Sequence, residues 1–211
     1  MPKNPVANPS VILAAACLAA TPMQVALAQP AITIEVDNPV LMPGESTLVT
    51  MYAGFARSEY AMAAVQTDLL STSGSEGWSD ARLVVPMDGP ATTPGTPSAT
   101  GYDGILAGQL NFGLSTSYAD PTNPIPFWQA VYTAPLDVTR PIDVALSTET
   151  SRYEVYPFRD SPVAESRLAD LTEGAATIRV IPAPASGLVL ALGLAALRRR
   201  RDPDRTETRD A

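Results

Sequence analysis

The side chains of this 211-residue chain that could carry out chemistry are carboxylates, because histidine is absent and Cys17 is the only cysteine. Without imidazole the chain cannot form a Ser-His-Asp triad or a histidine-ligated zinc site. Residues 29–184 also lack lysine, which excludes Schiff-base and phosphate-loop lysines there. Paired carboxylates, as in glycoside hydrolases, are the remaining catalytic option.

Four aspartates follow strands or lie in loops, where catalytic acids often occur: Asp68, Asp80, Asp103 and Asp120. Their spacing singles out no pair, and most surface carboxylates only solvate a domain. We therefore predict that the protein is not an enzyme, and we assign no catalytic residue.

Loop oxygens could instead bind Ca²⁺. The candidates are Asp37 with Asn38, Asp80, and Asp120 with Asn123, and none matches the twelve-residue calcium loop of an EF-hand. The sequence predicts no cofactor and no metal site, with Ca²⁺ as an open alternative.

Two tryptophans are candidate ligand-binding residues. Trp78 lies in the small, polar stretch 71–80, and Trp128 shares one strand face with Tyr132. An exposed aromatic row would stack on the sugar rings of an extracellular polysaccharide, whereas a buried one would belong to the core. The pattern leaves both interpretations open.

The elements that must position these residues are short strands separated by Pro- and Gly-rich turns. Segment 60–70 is ambiguous but favours a strand, 88–103 is typical of a mobile loop, and 161–172 is either a short helix or an irregular loop. About nine strands are predicted, at 31–37, 46–53, 60–70, 81–86, 105–112, 127–133, 142–147, 153–156 and 175–181. The sequence predicts an all-β fold, a single antiparallel β-sandwich covering residues 29–181.

The charge of the central region excludes one class of partner. Residues 29–184 contain seven arginines, no lysine and eighteen acidic side chains, a net charge of −11. Phosphate backbones repel such a surface, so we predict no nucleic-acid binding.

An apolar segment lies near the N-terminus. Lys3 precedes the run 11–28, which ends in the small-x-small sequence formed by Ala26, Leu27 and Ala28. This pattern predicts a signal peptide over residues 1–28, cleaved by signal peptidase after Ala28. The protein would then be exported, and the mature chain would contain no cysteine.

The C-terminal region has three parts in order. Pro182, Ala183 and Pro184 are followed by a run of thirteen mostly apolar residues, 185–197, and then by four consecutive arginines, Arg198, Arg199, Arg200 and Arg201. As a helix this run would be about 20 Å long, short for the ~30 Å hydrocarbon core of a bilayer. The arginines would stop transfer and stay cytoplasmic, and residues 202–211 would form a disordered cytoplasmic tail.

This tail resembles the sorting signal of exosortase-processed PEP-CTERM proteins. Ala183 replaces the usual glutamate between the prolines, and ten residues follow the arginine cluster. The resemblance implies transient anchoring in the inner membrane, processing by an exosortase-like enzyme, and delivery to the cell surface or extracellular matrix. The start of the central region, Ile32–Tyr52, resembles cohesin-like and immunoglobulin-like modules, in which a Pro-Gly turn joins the first two strands.

These observations predict an exported, non-enzymatic protein of the cell envelope or matrix with a structural or adhesive role. Its expected partners are the export machinery, signal peptidase, the processing enzyme and the inner membrane. The alternatives are a carbohydrate-binding module and a carboxylate-based glycan hydrolase.

Overall fold

The computed structural model describes residues 29–111 and 119–182. Within these ranges eleven strands and one short 3-10 helix, Leu168–Asp170, form two packed β-sheets. The strands are β1 (Ala31–Val36), β2 (Val40–Leu41), β3 (Ser46–Gly54), β4 (Ala61–Ser71), β5 (Trp78–Leu83), β6 (Thr96–Ser98), β7 (Gly101–Gly108), β8 (Ile125–Thr133), β9 (Ile142–Tyr156), β10 (Glu165–Ser166) and β11 (Ala175–Val180).

The smaller sheet has the strand order β1-β3-β8-β5, with every neighbouring pair antiparallel. Side chains alternate between its two faces, as the two-residue period of a strand requires. Met51 of β3 opposes Trp128 of β8, and both are fully buried between the sheets. The outer face carries polar residues, including Gln129, whose amide donates to Thr50 Oγ1 at 3.1 Å.

The larger sheet has the order β2-β11-β9-β4-β7-β6, and β10 adds to the edge of β9. The 15-residue strand β9 runs the length of this sheet and pairs with β11 on one side and β4 on the other. Strands β2 and β11 are parallel. The prediction of a purely antiparallel sandwich is therefore corrected to a mixed one, while the all-β class is confirmed.

A buried tyrosine connects the two sheets. Tyr153 of β9 is fully buried, and its hydroxyl donates to Gly54 O at 2.6 Å and lies 3.1 Å from Ala31 O. Both carbonyls belong to the smaller sheet. Burial raises the pKa of Tyr153, because the phenolate would lose its hydration. The hydroxyl thus stays protonated and fixes one sheet on the other.

Most predicted strands are confirmed, including the ambiguous segment, which forms β4. The two strands predicted at 142–147 and 153–156 are one continuous strand, β9. The strands predicted at 81–86 and 105–112 begin earlier, at Trp78 and Gly101. Segment 161–172 contains the short strand β10 and the 3-10 helix, so an α-helix there was wrong.

Segment 88–103 also differs from its prediction as a mobile loop. It contains β6, its Thr93 exchanges two backbone hydrogen bonds with Leu106, and the carbonyl of Pro94 accepts the indole N–H of Trp128 at 2.9 Å. These contacts hold the segment against the edge of the larger sheet. In the described ranges no helix has the length and hydropathy of a membrane span.

Candidate functional site

An open trough lies on the outer face of the larger sheet, and small side chains form its floor. Ala64 of β4 lies opposite Gly108 of β7 on one side and Glu154 of β9 on the other. Leu106 borders the same floor. These residues project little from the sheet. The trough has a volume of about 490 Å³.

Two loops form the walls of the trough. On one side stand residues 90–92, where Thr92 Oγ1 donates to Gly89 O at 2.6 Å. On the other side stand residues 162–164, and the Ser161 carbonyl just before them accepts Asn111 Nδ2 at 3.1 Å. These local hydrogen bonds hold both walls in a defined position before any partner binds.

One ion pair and one tyrosine supply the polarity of the trough. Arg152 Nη2 lies 2.6 Å from Glu154 Oε2, and this hydrogen bond raises the pKa of Arg152. Burial raises the pKa of Tyr156, whose hydroxyl donates to Gln109 O at 3.0 Å. The trough thus presents a small apolar floor beside one paired cation and anion, which suits recognition of a partner surface.

A second cavity of about 490 Å³ lies between β1 and the segment that precedes β11. The one carboxylate among its described lining residues is Glu173, and both of its oxygens accept hydrogen bonds from β9. Glu173 accepts hydrogen bonds from the Thr148 hydroxyl at 2.6 Å, and from the Thr150 backbone at 2.9 Å and hydroxyl at 2.9 Å. This carboxylate therefore holds the segment before β11 against β9.

Both predicted tryptophans belong to an aromatic cluster at the core. Ring centroids are 5.2 Å apart for Trp78 and Tyr132 and 5.4 Å apart for Tyr102 and Trp128. Trp128 is fully buried, so the core interpretation holds for it. Trp78 is half-buried on strand β5 rather than in a loop, and among the described residues its indole N–H has no hydrogen-bond acceptor. Neither ring forms a flat, exposed platform.

The four candidate aspartates do not all lie in loops: Asp68, Asp80 and Asp103 lie within β4, β5 and β7, and only Asp120 lies in a loop. Asp68 Oδ1 accepts the Gly104 N–H at 2.6 Å, and Asp103 accepts the Ser98 hydroxyl at 2.9 Å. Asp120 Oδ1 accepts both the backbone N–H and the hydroxyl of the nearby Thr122. In residues 29–111 and 119–182 no three His, Cys, Asp or Glu side chains converge on a point that could hold a metal ion.

The other calcium candidates lie apart in the fold. Asn38 Oδ1 accepts the Val40 N–H at 3.3 Å, and the amide of Asn123 is bonded to both the N–H and the carbonyl of Phe55. Asp80 is exposed on β5, 3.2 Å from the Ser79 hydroxyl. Calcium binding at these residues stays a prediction.

The predicted targeting residues lie almost entirely outside the described ranges. Ala26 and Ala28 precede residue 29, and Ala183, Pro184 and the cluster Arg198–Arg201 follow residue 182. Pro182 is described and is partly exposed two residues after the end of β11. The processing and membrane assignments remain predictions.

Sequence reasoning missed the trough. Its floor residues are alanines and glycine, which carry no chemical signature, and its ion pair joins residues two apart on one strand. The only available signal was the three alanines around Met62 at 61–64, and these alone do not indicate a surface site.

No protein-family model matches the chain, and no curated protein matches it. Solved structures that this chain resembles include a cohesin module of a family 33 glycoside hydrolase from Clostridium perfringens, with 12% identity and a TM-score of 0.45, covering 74% of this chain and 100% of that one. Another is in a complex of Coh-OlpA and Doc918 from Clostridium thermocellum, with 15% identity, a TM-score of 0.45, and coverage of 72% and 99%. A third, the sixth cohesin of scaffoldin B from Acetivibrio cellulolyticus, has 13% identity, a TM-score of 0.45, and coverage of 74% and 98%.

Proposed function

We propose that this chain is an exported, non-enzymatic protein of the cell surface or extracellular matrix with a structural or adhesive role. The observation that carries the adhesive role is the trough on the larger sheet. Its walls are held by internal hydrogen bonds, and its floor is lined by small apolar side chains. A partner segment that entered it would meet a preformed surface, which lowers the entropy cost of association.

The distribution of carboxylates supports a non-catalytic role. A glycosidase needs two carboxyl groups across one cleft, about 5 to 10 Å apart. The trough is lined by one carboxylate, Glu154, which is paired with Arg152, and the second cavity is lined by one, Glu173, which is bound by two threonines. Each of these groups already has a structural partner.

The alternative of a carbohydrate-binding module has less support. Sugar-binding platforms use exposed aromatic faces. Trp128 is fully buried, and Trp78 packs on Tyr132 with the ring centroids 5.2 Å apart. A polysaccharide partner would therefore have to use the small, mixed-polarity surface of the trough.

The proposed route to the surface is a signal peptide over 1–28 and a sorting tail from Pro182 onward. Its support is the sequence pattern, together with the end of the last strand at Val180, two residues before the first proline. Cutting at or after the proline motif would leave all eleven described strands in the product.

Adhesion can be tested with Ala64→Arg, which places a long charged side chain on the floor of the trough. The matched control is Ala145→Arg on an exposed position of β9 that lines neither cavity. We expect Ala64→Arg to reduce retention of the purified chain on envelope fragments from the producing cells by about tenfold, the loss of about 1.4 kcal/mol of binding free energy. The control should bind like the unmodified chain.

Equal binding by both variants would contradict the trough as the contact surface. Treating the envelope fragments with protease or with periodate separates two partner classes, since periodate cleaves sugar diols. We expect protease to abolish retention. Abolition by periodate alone would favour the carbohydrate-binding alternative.

The targeting route can be tested by intact mass and N-terminal sequencing of the surface-exposed product. We expect an N-terminus at Gln29 and a C-terminus that lacks Arg198–Arg201. A product beginning at Met1, or one retaining the four arginines, would contradict the proposed processing.

A further inference from the structure

One end of the sandwich carries a group of exposed apolar side chains around the point where the chain leaves the fold. Val180 of β11 pairs with Leu41 of β2 and with Ile142 of β9, and the Ile181 N–H donates to Leu41 O at 2.9 Å. Four residues of this end, which we name the exit patch, are exposed: Val40 (47%), Met42 (42%), Leu136 (78%) and Ile142 (40%).

The segments that carry these four residues meet at this end of the sandwich. Met42 begins the turn that leads from β2 to β3, and Gly44 of that turn donates its N–H to Ala134 O. Leu136 lies in the loop between β8 and β9 and is close to Gly44. A Cβ added at Gly44 would lie 2.9 Å from Leu136 Cδ2. Ile142 then begins β9. Half of the eight exposed large apolar side chains in the described ranges thus lie at this one end.

The chain beyond the exit patch restricts what can cover it. Only two residues separate Pro182 from Ala185, where the apolar run before the four arginines begins. Three extended steps reach at most about 11 Å, so the point where the chain leaves the fold must stay within that distance of whatever the apolar run enters. If the tail anchors in the inner membrane, as the proposed function requires, the exit patch lies beside the lipid surface.

We propose that the exit patch is a lipid-contact surface, on which the sandwich rests against the bilayer while its C-terminal tail is anchored. This inference depends on the membrane anchoring in the proposed function. Side chains of this size enter the boundary between headgroups and acyl chains, as the apolar residues of peripheral membrane proteins do.

The charges beside the patch specify the kind of lipid. The neighbouring charged residues are three acids and two arginines, namely Glu45, Asp137, Asp143, Arg140 and Arg179. One of the arginines, Arg179, lies 3.8 Å from Asp143 and is partly neutralised by it. Because acids are in excess, a strongly anionic surface would repel this end. The contact fits zwitterionic headgroups.

The experiment uses residues 29–211, the chain that the proposed signal-peptide cleavage leaves and that contains no cysteine, reconstituted in vesicles of phosphatidylethanolamine and phosphatidylcholine. A fluorescent label is placed at Leu136→Cys. The matched control label is at Phe158→Cys, which is 60% exposed and lies just beyond the far end of β9. The fifteen residues of β9 separate the two ends by about 45 Å.

We expect a lipid-borne quencher to reduce emission of the label at 136 by about threefold, because a side chain at the headgroup boundary lies within its range. The label at 158 should keep the emission that it has in water. Met42→Ser combined with Val40→Ser should restore the emission at 136 without releasing the chain from the vesicles, since the tail still anchors it.

Flotation of the vesicles separates the two hypotheses. A chain that floats while its label at 136 is not quenched overturns the lipid contact alone. A chain that does not float overturns both the anchoring and the contact. If the label at 136 is shielded from water to the same extent with and without vesicles, another part of the protein covers the patch. This outcome also refutes the proposal.

Discussion

The contact of Tyr153 with both sheets predicts a measurable cost for removing one oxygen atom. In Tyr153→Phe the ring stays in place, but the hydrogen bond to Gly54 O (2.6 Å) and the close approach to Ala31 O (3.1 Å) are lost. A neutral hydrogen bond contributes about 1 kcal/mol net, and a buried carbonyl left without its donor costs about 1 kcal/mol or more. We therefore expect the free energy of unfolding to fall by about 2 kcal/mol.

The assay is urea unfolding of the purified chain followed by tryptophan emission, since both tryptophans lie in or against the core. The urea midpoint should fall with the slope unchanged, and Tm should fall by about 6 °C for a domain of this size. The matched control is Tyr52→Phe, on the outer face of the smaller sheet beside Glu35. It should change stability by less than about 0.5 kcal/mol.

Equal effects of the two substitutions would refute the reasoning, because the loss at Tyr153 would then reflect the generic removal of a phenol. A loss below about 0.5 kcal/mol at Tyr153 would show that its two carbonyl acceptors find other donors, so that the hydroxyl does not connect the sheets.

Three further predictions concern the same framework. Burial raises the pKa values of Tyr153 and Tyr156 above the 10.0 of an unfolded chain. Their contribution to stability is therefore complete below pH 10 and should be lost above it. In urea titrations the free energy of unfolding should fall by up to about 1.4 kcal/mol per pH unit for each tyrosine. Gly101→Ala should lower the free energy of unfolding by about 4 kcal/mol or prevent folding, because its Cβ would lie 2.0 Å from a strand carbonyl oxygen. The control Gly104→Ala, with open space at φ +68°, should cost about 1 kcal/mol in the same urea titrations. Glu173→Gln should lower the urea midpoint by the equivalent of about 1 to 2 kcal/mol, because its carboxylate accepts charge-assisted bonds from two threonines of β9; an unchanged midpoint would contradict this.

The strands were largely readable from the sequence because each depends on local alternation. Residues 31–36 alternate apolar and polar side chains, and β1 lies there. The turn after β2 was equally local, since Pro43 sets φ and Gly44 supplies the positive φ of +79°. The boundary of β5 was misplaced, because Gly- and Ser-rich residues before Trp78 favoured a loop and only pairing with β8 extends the strand to Trp78.

The candidate site could not be read in this way. Ala64, Gly108 and Glu154 lie far apart in the chain and carry no shared motif, and they become neighbours only when β4 pairs with β7 on one side and β9 on the other. The parallel pairing of β2 with β11 is equally non-local. Strand registers over such separations depend on the whole hydrophobic core, which no sequence window contains.

The sequence by itself determined what chemistry the chain lacks. Residue types cannot be supplied by folding, so the absence of histidine and the single Cys17 exclude whole classes of site whatever the fold. Only the tertiary structure decided the burial of Trp128, the junction made by Tyr153, and the grouping of Val40, Met42, Leu136 and Ile142 beside the chain exit. Those features arise from contacts between strands distant in sequence, and their physical cause is the packing of one sheet on the other.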